Sequence, residues 1–173
     1  MNKTGTQEQN LLFQTMATIL SSRDLSNLRW IKVISDDSGW AYTRDRISKM
    51  EPSFDCNGAT IFPLGFRNEN ATKVEFADQI ALIQKGKLTH IVEAIDRQPC
   101  QDGGWYNRIC RIIWWRPEID NWKKLPPQKE LLGFNPTLMD GNPHKIETLS
   151  KFGERWNNNG CMEGFRSFLE TRL

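Results

Sequence analysis

The sequence predicts a single α+β domain in which helices at both ends flank a small mixed or antiparallel β-barrel. Three observations carry this. Apolar residues recur at helical spacing near each terminus. Runs rich in β-branched residues, separated by turn residues, fill the middle. The chain has 173 residues, 38% of them hydrophobic and 25% charged, which suits one core and argues against wholesale disorder.

At the N-terminus Thr6 and Gln9 have capping-box spacing, and Leu12, Met16, Ile19 and Leu20 follow at helical intervals, predicting a helix over residues 7–21. Residues 29–35, RWIKVIS, form a strand that stops at the turn cluster Asp36-Asp37-Ser38-Gly39. A short helix is expected within 39–52, then a strand over 59–64 ended by Pro63. Gln79 to Gln84 and residues 87–95 flank Lys85-Gly86, a tight connection that predicts a hairpin. Residues 98–104 read as loop, and Trp105 to Trp115 as a long strand stopped by Pro117. Pro117, Pro126, Pro127, Pro136 and Pro143 then forbid long regular elements and predict an ordered excursion across the surface. Met162, Phe165, Phe168 and Leu169 share one face of a C-terminal helix that follows a turn over 156–160.

No apolar run approaches the ~20 residues needed to cross a bilayer, and the N-terminus lacks the apolar stretch of a signal peptide, so a cytoplasmic protein without a membrane partner is expected. Cys56, Cys100, Cys110 and Cys161 form no CxxC pair, and only His90 and His144 could assist them. Free and mostly buried thiols are therefore expected, with no metal and no cofactor. Net charge is only +2, but it is unevenly spread: residues 97–129 hold seven basic against three acidic side chains, among the tryptophans.

The chain has no glycine-rich phosphate loop, no nucleophile elbow and no HExxH. A metal-dependent nuclease would pair Asp78 with a Glu-x-Lys, but Glu93 is followed by Ala94 and Ile95. Glu93 sits with Ile91 and Ile95 on one face of its strand, so a structural ion pair with Arg108 or Arg111 is expected, at about 3 kcal/mol for loss of a sealed pair. His90 reads as a satisfied strand histidine. The aromatic residues are more suggestive. Trp40 and Tyr42 follow a strand at a turn, Trp105 opens the third strand, and Trp114 and Trp115 close it, one facing each side. Such rings form a stacking platform for bases, at about 1 to 3 kcal/mol each, with Arg108, Arg111, Arg116, Lys123 and Lys124 as a phosphate rim.

The order RWIKVIS, GWAYT, DQIALIQKGKLTHIVEAID and WYNRICRIIWW, spanning roughly residues 29–116, resembles the PUA-like superfamily of small β-barrels, especially its EVE and YTH members. The resemblance implies a pocket at the barrel mouth that receives a modified or flipped-out base between aromatic rings, without catalysis. Trp40 matches the pocket aromatic after the first strand, and Trp105 or Trp114 the second. Thr89-His90 replaces the usual glycine of the hairpin's second strand, and the proline-rich stretch 117–143 has no counterpart.

The expected function is thus a non-catalytic binding module for RNA or DNA. The alternatives are a small enzyme or small-molecule binder using Asp78, His90 and Glu93 in the same cavity, or a module docking a protein partner on its Trp and Pro surface.

Overall fold

The computed structural model describes residues 24–119, 121–138 and 140–173, so the helix expected over 7–21 lies outside the described residues. Eight strands form one sheet: β1 (Leu28–Val33), β2 (Phe54–Cys56), β3 (Ala59–Phe66), β4 (Gln79–Gln84), β5 (Lys87–Ala94), β6 (Cys100–Asp102), β7 (Trp105–Trp115) and β8 (Pro143–Lys145). The helices among the described residues are α1 (Arg44–Ile47), α2 (Gln128–Leu132), α3 (Ser150–Trp156) and α4 (Cys161–Glu170), with single 3₁₀ turns at Glu69–Lys73, Trp122–Lys124 and Ile146–Thr148.

The hydrogen-bonded order is β2-β3-β7-β5-β4-β1-β8, with β6 pairing the start of β7. β1 and β4 run parallel and every other pair is antiparallel. The path does not close, yet it curls strongly. Lys32 of β1 lies 4.9 Å from the ring centroid of Phe66 on β3, although β4, β5 and β7 intervene between the two strands. Asn142, just before β8, spans the opening by accepting from the side-chain amides of Asn68 (3.0 Å) and Asn70 (2.9 Å).

Curling divides the core in two. The concave face packs Trp30, Phe62, Leu64, Phe66, Ile80, Leu82, Val92, Cys110 and Ile112. The other face packs Ile31, Ala81, Ile83, Ile91 and Trp114 against Leu132 of α2 and Phe152, Trp156, Phe165 and Leu169 of the C-terminal helices. β4 is buried along its whole length because both its faces are covered, which explains its continuous apolar run. A bulge in β7 sets which ring goes where: Ile91 pairs with Trp114 and Val92 with Ile112, so Ile113 is the extra residue. Trp114 therefore points to the helices and Trp115 to the concave side, where it lies 5.5 Å from His90.

Several expectations are corrected. β3 continues through Pro63 to Phe66, because β2 ends opposite Ile61 and beyond it the outer edge of β3 has no ladder for the missing N–H to break. Residues 98–104 are not all loop: β6 forms a tight hairpin with β7 over Gly103 (φ 54°) and Gly104 (φ 82°), a pair of left-handed positions open to glycine. The excursion over 117–143 is largely packed down, with Trp122, Leu125, Leu131, Leu132 and Phe134 buried. All four cysteines are free, but only Cys110 is buried, because Cys56 and Cys100 fall on short edge strands and Cys161 on the outer start of α4.

Candidate ligand cleft

The end of β1, the loop after it, α1 and the end of β3 enclose a cleft of about 520 Å³, within the ~300–1,000 Å³ typical of ligand sites. Its walls are fixed from below. Buried Gln84 clamps the loop, donating to the Gly39 carbonyl (2.7 Å) and accepting from the Ala41 amide (2.9 Å). Asp36 holds the turn by accepting from the Ser38 amide (2.8 Å) and from Arg46, so Arg46 is anchored at the rim. These two fixtures turn Tyr42 inward. Its ring packs 5.0 Å from Phe62, and its hydroxyl accepts from the Gly65 amide (3.3 Å). Trp105 lies over Gly65 from the other side: a Cβ there would meet its ring at 3.4 Å. It remains 45% exposed, with the Arg67 guanidinium 6.0 Å from its ring.

The lining carries four cations, Lys32, Arg46, Lys49 and Arg67, and two anions, Asp36 and Asp140. Both carboxylates are already engaged. Hydrogen bonds from Ser38 hold Asp36 below the usual carboxylate range, and hydrogen bonds from His144 (2.9 Å) and Asn142 (3.0 Å) do the same for Asp140. Burial pushes Lys32 down to about 8, partly opposed by Asp140, and pushes the Tyr42 phenol up to about 12. The cleft thus offers two aromatic side chains set on either side of Gly65, a cationic excess and a neutral phenol.

Of the five aromatic residues expected to form one pocket, the structure brings together Tyr42 and Trp105. Trp40 turns away, edge-on to Trp122 (5.7 Å) with the Lys85 ammonium 5.2 Å from its ring. Trp114 and Trp115 sit at the far end of β7, nine and ten residues from Trp105 and so about 30 Å away; Trp114 is 4% exposed in the helix-facing core.

The expected phosphate rim also separates. Arg108 is 1% exposed, its donors taken by Asp96 and by the Ala71 and Val74 carbonyls, so it is a structural residue and no rim. Arg111 pairs with Glu93 (3.0 Å), and Arg116 with Glu118 (3.8 Å) and the Leu173 carbonyl (3.0 Å). Lys123 and Lys124 are exposed on the 3₁₀ turn beside Trp122. None of these five lines the cleft.

Asp78, His90 and Glu93 are not brought into one cavity either. Asp78 accepts from the Trp30 indole (2.8 Å) and the Glu75 amide (2.9 Å), which fixes the turn into β4. Glu93 is held by Arg111. His90 is fully buried among Tyr42, Phe62, Trp115 and Trp122, and burial pushes its pKa down to about 3, so it is neutral.

Sequence reasoning missed Lys32, Arg46, Gly65 and Arg67. Lys32 did leave a signal: in RWIKVI, Trp30, Lys32 and Ile34 alternate onto one face, so the lysine had to share the concave side with a buried tryptophan. Arg67 and Gly65 left none, because their nearness to Trp105 depends on the β3–β7 register. No helix among the described residues is long and apolar enough to cross a membrane. No protein-family model, no curated protein and no solved structure significantly matches this chain.

Proposed function

We propose that the protein is a non-catalytic binding module for single-stranded RNA or DNA, and that the cleft takes one flipped-out or modified base stacked on Trp105, with Tyr42 in the same lining. The reading keeps the aromatic pocket that the PUA-like resemblance implies, here on the edge of a curled sheet that does not close into a barrel. One observation carries the proposal: Trp105, large and apolar, stays 45% exposed at the lip of a cleft with a basic lining and Arg67 beside its ring. A tryptophan left this accessible contributes little to the core, but it gives a base a stacking surface worth about 1 to 3 kcal/mol. Arg67 and Lys49, both in the lining, would take the flanking phosphates, Lys49 by exchanging its exposed pairing with Asp45.

Anisotropy titrations with short single-stranded oligonucleotides at low and moderate salt test this. Two phosphate contacts predict a slope of about −1.4 in log affinity against log salt for a single strand. Failure of the wild-type protein to bind any oligonucleotide at low ionic strength would dismiss the proposal.

A further inference from the structure

Lys32 is the innermost cation of the cleft, only 5% exposed. Its ammonium donates to the Gly141 carbonyl and lies 4.9 Å from the Phe66 ring centroid. No Asp or Glu oxygen among the described residues comes within 4.0 Å of it. An ammonium has three donors, and a cation this enclosed ordinarily has a carboxylate partner. The charged groups facing it are Asp140 on the approach to β8, Arg67 after β3, and the Asp36–Arg46 pair across the cleft. Asp140 is committed to His144 and Asn142, and Asp36 to Arg46 and Ser38. An underpaired, desolvated ammonium that lines an accessible cleft disfavours a neutral ligand and rewards an anionic oxygen.

Building on the nucleic-acid reading, we infer that Lys32 is the specificity-determining residue of the cleft and donates to an anionic oxygen, carboxylate or phosphate, that the bound nucleotide carries inward. Its burial lets it lose its proton near pH 8, so the preference it confers fades as pH rises through about 8.

The test uses the full chain and labelled single-stranded DNA probes of one sequence: an ordinary cytosine at the centre, a cytosine bearing a ring carboxylate there, and the ordinary probe with an added terminal phosphate. Lys32→Met keeps the length of the side chain, and its fold is checked by circular dichroism and thermal melting. Lys73→Met, which removes an exposed charge outside the cleft, measures the effect of charge alone. Lys32→Met is expected to lose at least about tenfold in affinity beyond Lys73→Met, and to lose the alkaline pH dependence. Loss confined to the ring-carboxylate probe identifies the base as the source of the oxygen; loss confined to the phosphate-bearing probe, or equal on all probes, identifies phosphate. If Lys32→Met and Lys73→Met behave alike while Trp105→Ala weakens binding at least about fivefold, the inference falls and the cleft reading stands. If the wild type binds no probe, both fall.

Discussion

Arg108 and Asp96 form a buried fork that ties β7 to the segment leaving β5. The Arg108 Nε donates to Asp96 Oδ1 (2.7 Å), Nη2 to the Asp96 carbonyl (2.8 Å), and the other Asp96 oxygen accepts from the Ile109 amide (2.9 Å). Nη1 adds the Ala71 carbonyl (3.1 Å) and that of Val74, so the same guanidinium anchors the 3₁₀ turn that flanks the open side of the sheet. Arg108→Met should cost about 3 to 5 kcal/mol, because it strands a partly buried carboxylate and three carbonyls at once. Urea denaturation measures this; a loss under about 1 kcal/mol would mean that water replaces the fork.

Glu93 and Arg111 make the weaker contrast. Their oxygen and nitrogen are 3.0 Å apart, but the Arg111 side chain is 47% exposed and regains water when its partner is removed. Glu93→Ala should therefore cost about 1 kcal/mol or less, below the 3 kcal/mol of a sealed pair, and the loss should shrink in high salt. A salt-independent loss of several kcal/mol in the same denaturation assay would contradict this.

His90 should impose acid sensitivity on the fold. Burial lowers its folded pKa from 6.5 to about 3, with a main-chain contact from Tyr42 opposing in part. Between those values the unfolded chain binds the proton and the folded chain does not, so stability falls as pH drops below about 6.5, at up to about 1.4 kcal/mol per pH unit. Replacing His90 with Leu removes this contribution. Melting curves from pH 7 to pH 4 should be flatter for the variant than for the wild type; parallel curves would show that His90 is protonated in the fold.

The elements were far more legible than the site. Trp105–Trp115 and the hairpin over Lys85-Gly86 followed from local pattern, because β-branched runs and a turn glycine act within a few residues. Assigning side chains to faces required what no local pattern contains. The bulge at Ile113 separates Ile112 from Trp114, which strict alternation would have placed together. Likewise, the curl that sets Lys32 over Phe66 joins strands with three others between them in the sheet. Tyr42 was legible as a ring at a turn, but its pairing with Trp105 rests on Gly65 lying between them, a tertiary fact.

The two ends of β7 supply the last prediction, in which two tryptophans of one strand separate stability from binding. Trp114 is 4% exposed and packs with Ile91 and the C-terminal helices, so Trp114→Ala opens a large cavity and should cost about 3 to 5 kcal/mol. Trp105 is 45% exposed, with Gly65 under its ring and the Arg67 guanidinium 6.0 Å from the ring centroid, so Trp105→Ala should change stability by about 0.5 kcal/mol or less. Its effect on single-stranded oligonucleotide binding should be the reverse: a loss of about 1 to 3 kcal/mol, roughly 5- to 150-fold in affinity. Stacking carries no net charge, so the loss should be the same at low and moderate salt, whereas Arg67→Ala should lower the salt slope by about 0.7. Denaturation and anisotropy run on the three variants decide the matter. If Trp105→Ala binds like the wild type, the ring at the lip of the cleft is no stacking surface, and the base must be sought elsewhere on the molecule.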